Sequence, residues 1–369
     1  MRTKLLMVLV AVPMVLAAPM TEAAGPPATE QRPVADVLHG VEMVDPYRWL
    51  EGDNTDPDRM GKPTDEVTEW SMAQNGYTRS VLDRLPGRAE LESRLRELME
   101  VGSVGSPQMA GDRYFYTRRE GAQPQPIVYL REGYDGAERV LLDPIEIDSS
   151  GLTTVSWFRP SPDGELLAFG MYRSGDENST LYLMDVGTGE WLADEIPGKV
   201  GLSGWMPGSR SFVYSRLEEL DDPYSRESRL HVVGRHWTKD PVLIRQRDVR
   251  EIYRDKNYSE EKLRELAGTW GPSVGVSEDG RWMLVYYFTG TASNDLWVVD
   301  FDRFLRTGEF VKNEILVGGT SRLSGTVHGD TMFLRIDDQA PNGEVVAVDL
   351  NSPDRSNWKS VIPNNPNAV

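Results

Sequence analysis

The 369-residue chain contains no cysteine, which excludes disulfides, thiolate metal centres and cysteine nucleophiles. Histidine is nearly absent: His39, His231, His236 and His328 are the only four. No His-x-x-x-His pair occurs, and the five-residue step from His231 to His236 suits neither one helical face nor one strand face. No metal and no cofactor is therefore expected. Phosphate-cradling Gly-x-x-x-x-Gly-Lys and dinucleotide glycine fingerprints are missing too. Nor is a Gly-x-Ser-x-Gly nucleophile elbow expected, whose sharp strand-to-helix turn needs small residues on both sides of the serine. Gly201-Leu202-Ser203-Gly204-Trp205 lacks the second glycine in place, so Ser203 reads as part of a β turn and no catalytic residue is assigned. Basic residues are outnumbered, 40 against 58 acidic, for a formal net charge of -18. Such a field repels nucleic-acid phosphates and anionic membranes, so neither is an expected partner. The acidic pairs Glu218-Glu219, Asp221-Asp222 and Glu260-Glu261 are sequence neighbours that point apart, and read as solvated surface.

Long hydrophobic runs are missing except at the start. Arg2 and Lys4 precede an apolar stretch over residues 5–18, and Ala17, Ala18, Ala23 and Ala24 follow as small residues suited to cleavage. A membrane span needs about 20 apolar residues, so residues 1–24 read as a cleaved export signal and the mature chain as periplasmic or secreted. After a proline-rich lead-in comes the cluster Asp45-Pro46-Tyr47-Arg48-Trp49-Leu50-Glu51. Two helices are predicted next. Thr64 is positioned to cap the first, whose apolar candidates include Val67 and Trp70. The second runs over residues 88–100 with Leu91, Leu95, Leu98 and Met99 on one stripe. Residues 25–100 thus form an N-terminal helical segment.

From residue 101 to the end the periodicity changes. A polar turn followed by an aromatic-rich strand recurs at residues 111–116, 163–169, 208–214, 279–285 and 329–334. A second strand follows most copies, as at residues 180–186 and 295–300. The steps from Asp112 to Asp163 and from Asp279 to Asp330 are both 51 residues. The Ser209 to Asp279 step is 70, with a charged insertion over residues 245–265. Units of about 40–50 residues built of strands and tight turns have the size of propeller blades. The expected fold is mainly β: an incomplete β-propeller of about five blades. Trp157, Phe158, Trp205, Trp270, Trp282 and Trp297 are candidates for a binding face, although burial between blades is the commoner fate of such side chains.

The cluster from Asp45 to Glu51 resembles the signature near the start of prolyl oligopeptidases. The likeness continues through Glu69-Trp70-Ser71-Met72-Ala73-Gln74-Asn75, the turns Ser161-Pro162-Asp163-Gly164-Glu165 and Ser277-Glu278-Asp279-Gly280-Arg281, and Asn357-Trp358-Lys359. The resemblance implies a serine endopeptidase cleaving short peptides after proline. It also implies a seven-bladed propeller that gates access, and an α/β-hydrolase domain on which the N-terminal segment packs. The family's serine motif follows its propeller, and nothing in this chain matches that motif. The expectation is therefore the front portion of such an enzyme, inactive alone, with its hydrolase domain absent from the sequence. The alternative is a non-catalytic propeller that binds peptides or a partner subunit.

Overall fold

The computed structural model describes residues 25–53 and 63–367; the expected export segment, residues 1–24, lies outside them. The chain divides into two compact units, Met1–Leu98 and Met99–Val369.

In the first unit the strands Val34–Leu38 and Val41–Asp45 form an antiparallel hairpin that the sequence reading did not anticipate. His39 and Gly40, with φ of 52° and 79°, make its two-residue turn, the backbone form that matches strand twist. The cluster after it is an organising knot. Asp45 accepts hydrogen bonds from the Tyr47 backbone N–H at 2.8 Å and from Arg48 Nε at 3.0 Å, which together hold its carboxyl below the usual range. Arg48–Glu51 is a single 3-10 turn. Trp49 donates to the Glu30 carbonyl at 2.9 Å and meets Trp70 edge-on at 6.3 Å. Helix α1 is Asp65–Leu82 and helix α2 is Arg88–Met99, one residue short of the expected end. Thr64 caps α1 as expected, its hydroxyl accepting from Val67 N–H. Only Val67 is buried on α1, whereas the α2 stripe of Leu91, Leu95, Leu98 and Met99 is exposed, Met99 by 68%.

The second unit holds five antiparallel sheets, each a meander in chain order. The first comprises Ser103–Val104, Gln108–Ala110, Arg113–Arg119, Ile127–Glu132 and Glu138–Leu142. The second comprises Thr153–Pro160, Leu166–Arg173, Thr180–Asp185 and Trp191–Ile196. The third is Gly201–Trp205, Ser211–Leu217, Arg226–Val232 and Val242–Arg245. The fourth is Gly271–Val276, Trp282–Phe288, Asn294–Asp300 and Lys312–Leu316. The fifth is Ser324–His328, Thr331–Ile336, Glu344–Asp349 and Lys359–Ile362. Each sequence repeat is thus the turn and long strand near the middle of one sheet. In all five, the register shifts between the last two strands, which sharpens the twist there.

Apolar side chains fill each seam between consecutive sheets. Phe115, Val128 and Leu130 meet Phe169 between the first two, and Leu181 and Leu183 meet Phe212 and Tyr214 between the next two. Val213 and Leu243 meet Met283 and Val285; Leu284 and Val298 meet Met332 and Leu334. Because strand side chains alternate, an inner sheet feeds both of its seams from one strand. Met283 and Val285 point to one neighbour, Trp282 and Leu284 to the other. That explains the uninterrupted apolar runs in the middle repeats. The fifth sheet is one-sided: Met332, Leu334 and Ile336 are buried, while Phe333 between them is 41% exposed.

The Ser-x-Asp-Gly turns share one hydrogen-bond pattern. Ser161 Oγ donates to Asp163 and accepts from Leu166 N–H, and Ser277 Oγ does the same with Asp279 and Trp282 N–H. The glycines are required there. Gly280 has φ of 73°, and a Cβ on it would lie 2.7 Å from Pro207 Cδ of the preceding sheet.

The charged insertion over residues 245–265 also contributes to the core. Val249–Ile252 and Glu260–Ala267 are short helices, and Val249, Ile252, Tyr253 and Leu266 enter the seam between the third and fourth sheets. Tyr253 donates to Asp295 at 2.6 Å, and Lys312 donates to the Ile252 carbonyl at 2.6 Å. Burial pushes the Asp295 carboxyl up and the Lys312 amine down, because water no longer stabilises their charged forms.

Two glycines separate crowding from backbone strain. Gly175 has φ of 74° and open space around it, so Gly175→Ala should cost only the left-handed penalty of about 1 kcal/mol. Gly280→Ala adds the clash with Pro207 and should cost about 2–3 kcal/mol. Denaturant melts compare them; equal losses would refute the close-packing account.

Candidate functional site

Of the aromatic candidates, Phe158, Trp282 and Trp297 are buried between sheets, and Trp157 and Trp205 are partly buried. Trp157 donates to the Val200 carbonyl and Trp205 to the Arg159 carbonyl, so both tie neighbouring sheets. Trp270 alone among the six stands out on the surface, 69% exposed. Ser203 lies in the first strand of the third sheet, in a hydroxyl ladder with Ser215 and Ser228 at 3.3 and 3.0 Å. That is a strand contact without a histidine or carboxylate in it.

Trp270 borders a cavity of about 510 Å³ that also meets Arg226, Pro272, Ser273, Phe288 and Arg322. The meander topology gathers these residues. Arg226 opens the third strand of its sheet, Pro272 and Ser273 sit at the start of the next sheet's first strand, and Phe288 ends its second strand. In an up-and-down meander, starts of odd strands and ends of even strands share one edge. Gln246 sets the Trp270 turn. Its amide donates to the Ala267 and Thr269 carbonyls at 2.9 and 2.7 Å. A Cβ at Gly271, with φ of 71°, would lie 2.3 Å from Gln246 Oε1. Trp270 was singled out in the sequence; Arg226, Phe288 and Arg322 were not, since none belongs to a local motif.

Charge is sorted by strand alternation along Arg226–Val232. Glu227, Arg229 and His231 face the second sheet. Glu227 is fully buried and pairs with Arg216 at 2.9 Å and Arg229 at 2.7 Å. Burial opposes its ionisation, but these guanidiniums outweigh it and its carboxyl is held below the usual range. Arg226 points the other way, with Ser228 and Leu230, and makes no side-chain hydrogen bond or ion pair among the described residues. Burial lowers its pKa from the ordinary arginine value, yet guanidinium stays cationic.

His231, given only an excluding role in the sequence, is a fully buried clamp. Nε2 lies 2.9 Å from Asp194 of the second sheet, and Nδ1 lies 2.8 Å from Asp240. Asp194 Oδ1 also accepts from Gly234 N–H at 2.6 Å, and Asp240 Oδ2 from the Tyr214 hydroxyl at 3.0 Å. Both oxygens facing the ring are thus acceptors, which fits an imidazolium donating from both nitrogens. Burial would lower the histidine pKa, but the two aspartates outweigh it and raise it above 6.5.

Successive twisted antiparallel meanders, packed face to face and carrying a ligand-sized cavity along one edge, define a β-propeller type of domain. The family model described as prolyl oligopeptidase, N-terminal beta-propeller domain, matches residues 26–369. The chain belongs to the prolyl oligopeptidase family. It is 24% identical over 340 residues to a prolyl endopeptidase of Elizabethkingia meningoseptica, covering 91% of this chain and 44% of that protein. A dual function macrocyclase-peptidase of Galerina marginata is also 24% identical, over 88% of this chain and 44% of its own length. A structure from a mechanistic study of two prolyl endopeptidases aligns over 93% of this chain and 47% of that one, at 29% identity and a TM-score of 0.77. Prolyl oligopeptidase B of Galerina marginata, bound to a 35mer substrate, has a TM-score of 0.73 at 21% identity and shares the fold. The chain spans less than half the length of these relatives.

The clamp has a pH signature. A histidine whose folded pKa is raised contributes its full stability below about 6.5 and loses it as pH rises through the folded value. Stability should therefore fall as pH increases above about 6.5. His231→Gln should lose about 3 kcal/mol at pH 6 and show a flatter profile from pH 6 to 8. Thermal melts across that window check it; a variant profile parallel to the parent's contradicts an ionised clamp.

Proposed function

We propose that this chain is the N-terminal segment and propeller of an exported serine endopeptidase of prolyl oligopeptidase type, which cleaves short peptides after proline. On this reading the five sheets are five blades of a seven-bladed propeller that gates substrate access. The nucleophile is supplied by an α/β-hydrolase portion outside this sequence, and the chain alone is inactive. The match over residues 26–369, set against coverage of only 44% of the relatives, carries the reading. Two features support it. The α2 stripe and the hairpin leave apolar side chains open, Leu91 by 61% and Val37 by 71%, as a surface made to be covered needs. The one stretch with Gly-x-Ser-x-Gly spacing, Gly271-Pro272-Ser273-Val274-Gly275, is a paired strand rather than a strand-to-helix elbow, which agrees with a nucleophile located elsewhere. Export to the periplasm or medium follows from residues 1–24 and belongs to the same proposal.

A second reading, a non-catalytic propeller that binds peptides or a partner subunit, is favoured by the cavity beside Trp270, which this chain builds by itself. The two part on one assay. The purified 369-residue chain should not turn over a short chromogenic peptide with proline before the scissile bond. Mixing it with the hydrolase portion of a related prolyl endopeptidase should restore cleavage. Turnover by the chain alone rules out the division of labour, and stable mixing without cleavage favours the binding module.

A further inference from the structure

The cavity beside Trp270 holds an uncommitted cation. Arg226 lines it with no partner among the described residues, because alternation turns it away from Glu227, the neighbouring carboxylate. Glu227 is in any case taken up by Arg216, Arg229 and Arg245. Three arginines thus share Glu227 on one face of the strand, and Glu218 in the loop before Arg226 is taken up by Arg247, which leaves Arg226 on the other face without a carboxylate. The second cavity arginine, Arg322, is partly committed: its Nη1 donates to the Thr291 carbonyl at 2.8 Å. Exposed Trp270 and half-buried Phe288 offer apolar walls to flank a peptide backbone or a proline ring. Ser273 adds a hydroxyl to the lining.

We infer that this cavity is a carboxylate-recognition subsite, in which Arg226 pairs with an acidic side chain or the free C-terminus of a bound peptide while Trp270 and Phe288 flank the adjoining residues. The inference rests on the peptide-binding reading of the propeller and adds a substrate preference to it. Guanidinium suits the role: it presents a planar fork of donors matched to a carboxylate, and a partly dry wall strengthens the pair relative to open water. The cavity volume accommodates a few residues, in keeping with short peptides. Recognition by one arginine would also let an acidic protein hold ligands that its overall field repels.

The test uses the whole 369-residue chain and calorimetric titration at low salt. Four versions of one proline-containing pentapeptide are compared: glutamate or glutamine inside, each with a free or amidated C-terminus. At least one carboxylate version should bind about tenfold tighter than the fully neutral peptide, and the arms show whether side chain or terminus is read. Arg226→Gln should abolish that preference while leaving neutral-peptide binding within about twofold. Arg226→Lys should keep part of it, which guards against loss through misfolding. Equal binding of all four by the parent chain overturns the carboxylate inference but leaves peptide binding standing. Failure of every peptide to bind overturns both. A preference that survives in Arg226→Gln overturns the assignment to Arg226.

Discussion

The structure depends on one constraint: each inner sheet is buried on both faces by its neighbours. A strand such as Trp282–Phe288 cannot satisfy this with one apolar stripe, so residues of both parities are apolar and each parity fills a different seam. Fully burying a side chain of this kind is worth about 1.5–3 kcal/mol, and each seam gathers many of them. Close face-to-face packing in turn dictates glycine where the turns approach the next sheet, as at Gly280 against Pro207. It also lets the charged segment over residues 245–265 contribute Tyr253 and Leu266 to a seam that the strands do not fill by themselves.

The same alternation decides where charge goes. His231 and Glu227 face the second sheet and are sealed in pairs with Asp194, Asp240, Arg216 and Arg229. Buried charges persist only when satisfied in this way. Arg226, one residue earlier, faces the fourth sheet and opens onto a cavity. A single strand thus carries a structural ion cluster on one side and an available cation on the other.

The sequence made the repeats legible, since each turn and its aromatic strand became the middle of one sheet, and the Thr64 cap and both helices stood where local chemistry put them. The hairpin Val34–Leu38 and Val41–Asp45 escaped because its turn, His39-Gly40, is not a common pairing and its strands stay exposed, blurring any pattern. The role of His231 was invisible for a different reason: Asp194 lies 37 residues away across a seam, and Asp240 comes 9 residues later in the connection to the last strand of the same sheet. Arg226, Trp270 and Phe288 likewise converge from separate strands and a turn. The family was readable from the cluster Asp45 to Glu51, whose physical work proves to be local: Asp45 binds the turn, Arg48 ties the hairpin, and Trp49 meets Trp70 edge-on.

Membership in a serine peptidase family and the content of this chain are separate matters. The chain supplies sheets, seams, a cationic cavity and an apolar N-terminal surface; Ser203 sits in a strand ladder, and Ser161 and Ser277 sit in turns. On the proposed reading its contribution is substrate handling and support, with the nucleophile supplied from elsewhere. Reaction with a fluorophosphonate, which marks activated serines, followed by intact-mass measurement, tests this most directly. The account predicts that the purified chain stays unlabelled; stoichiometric labelling of any serine in it would contradict the account.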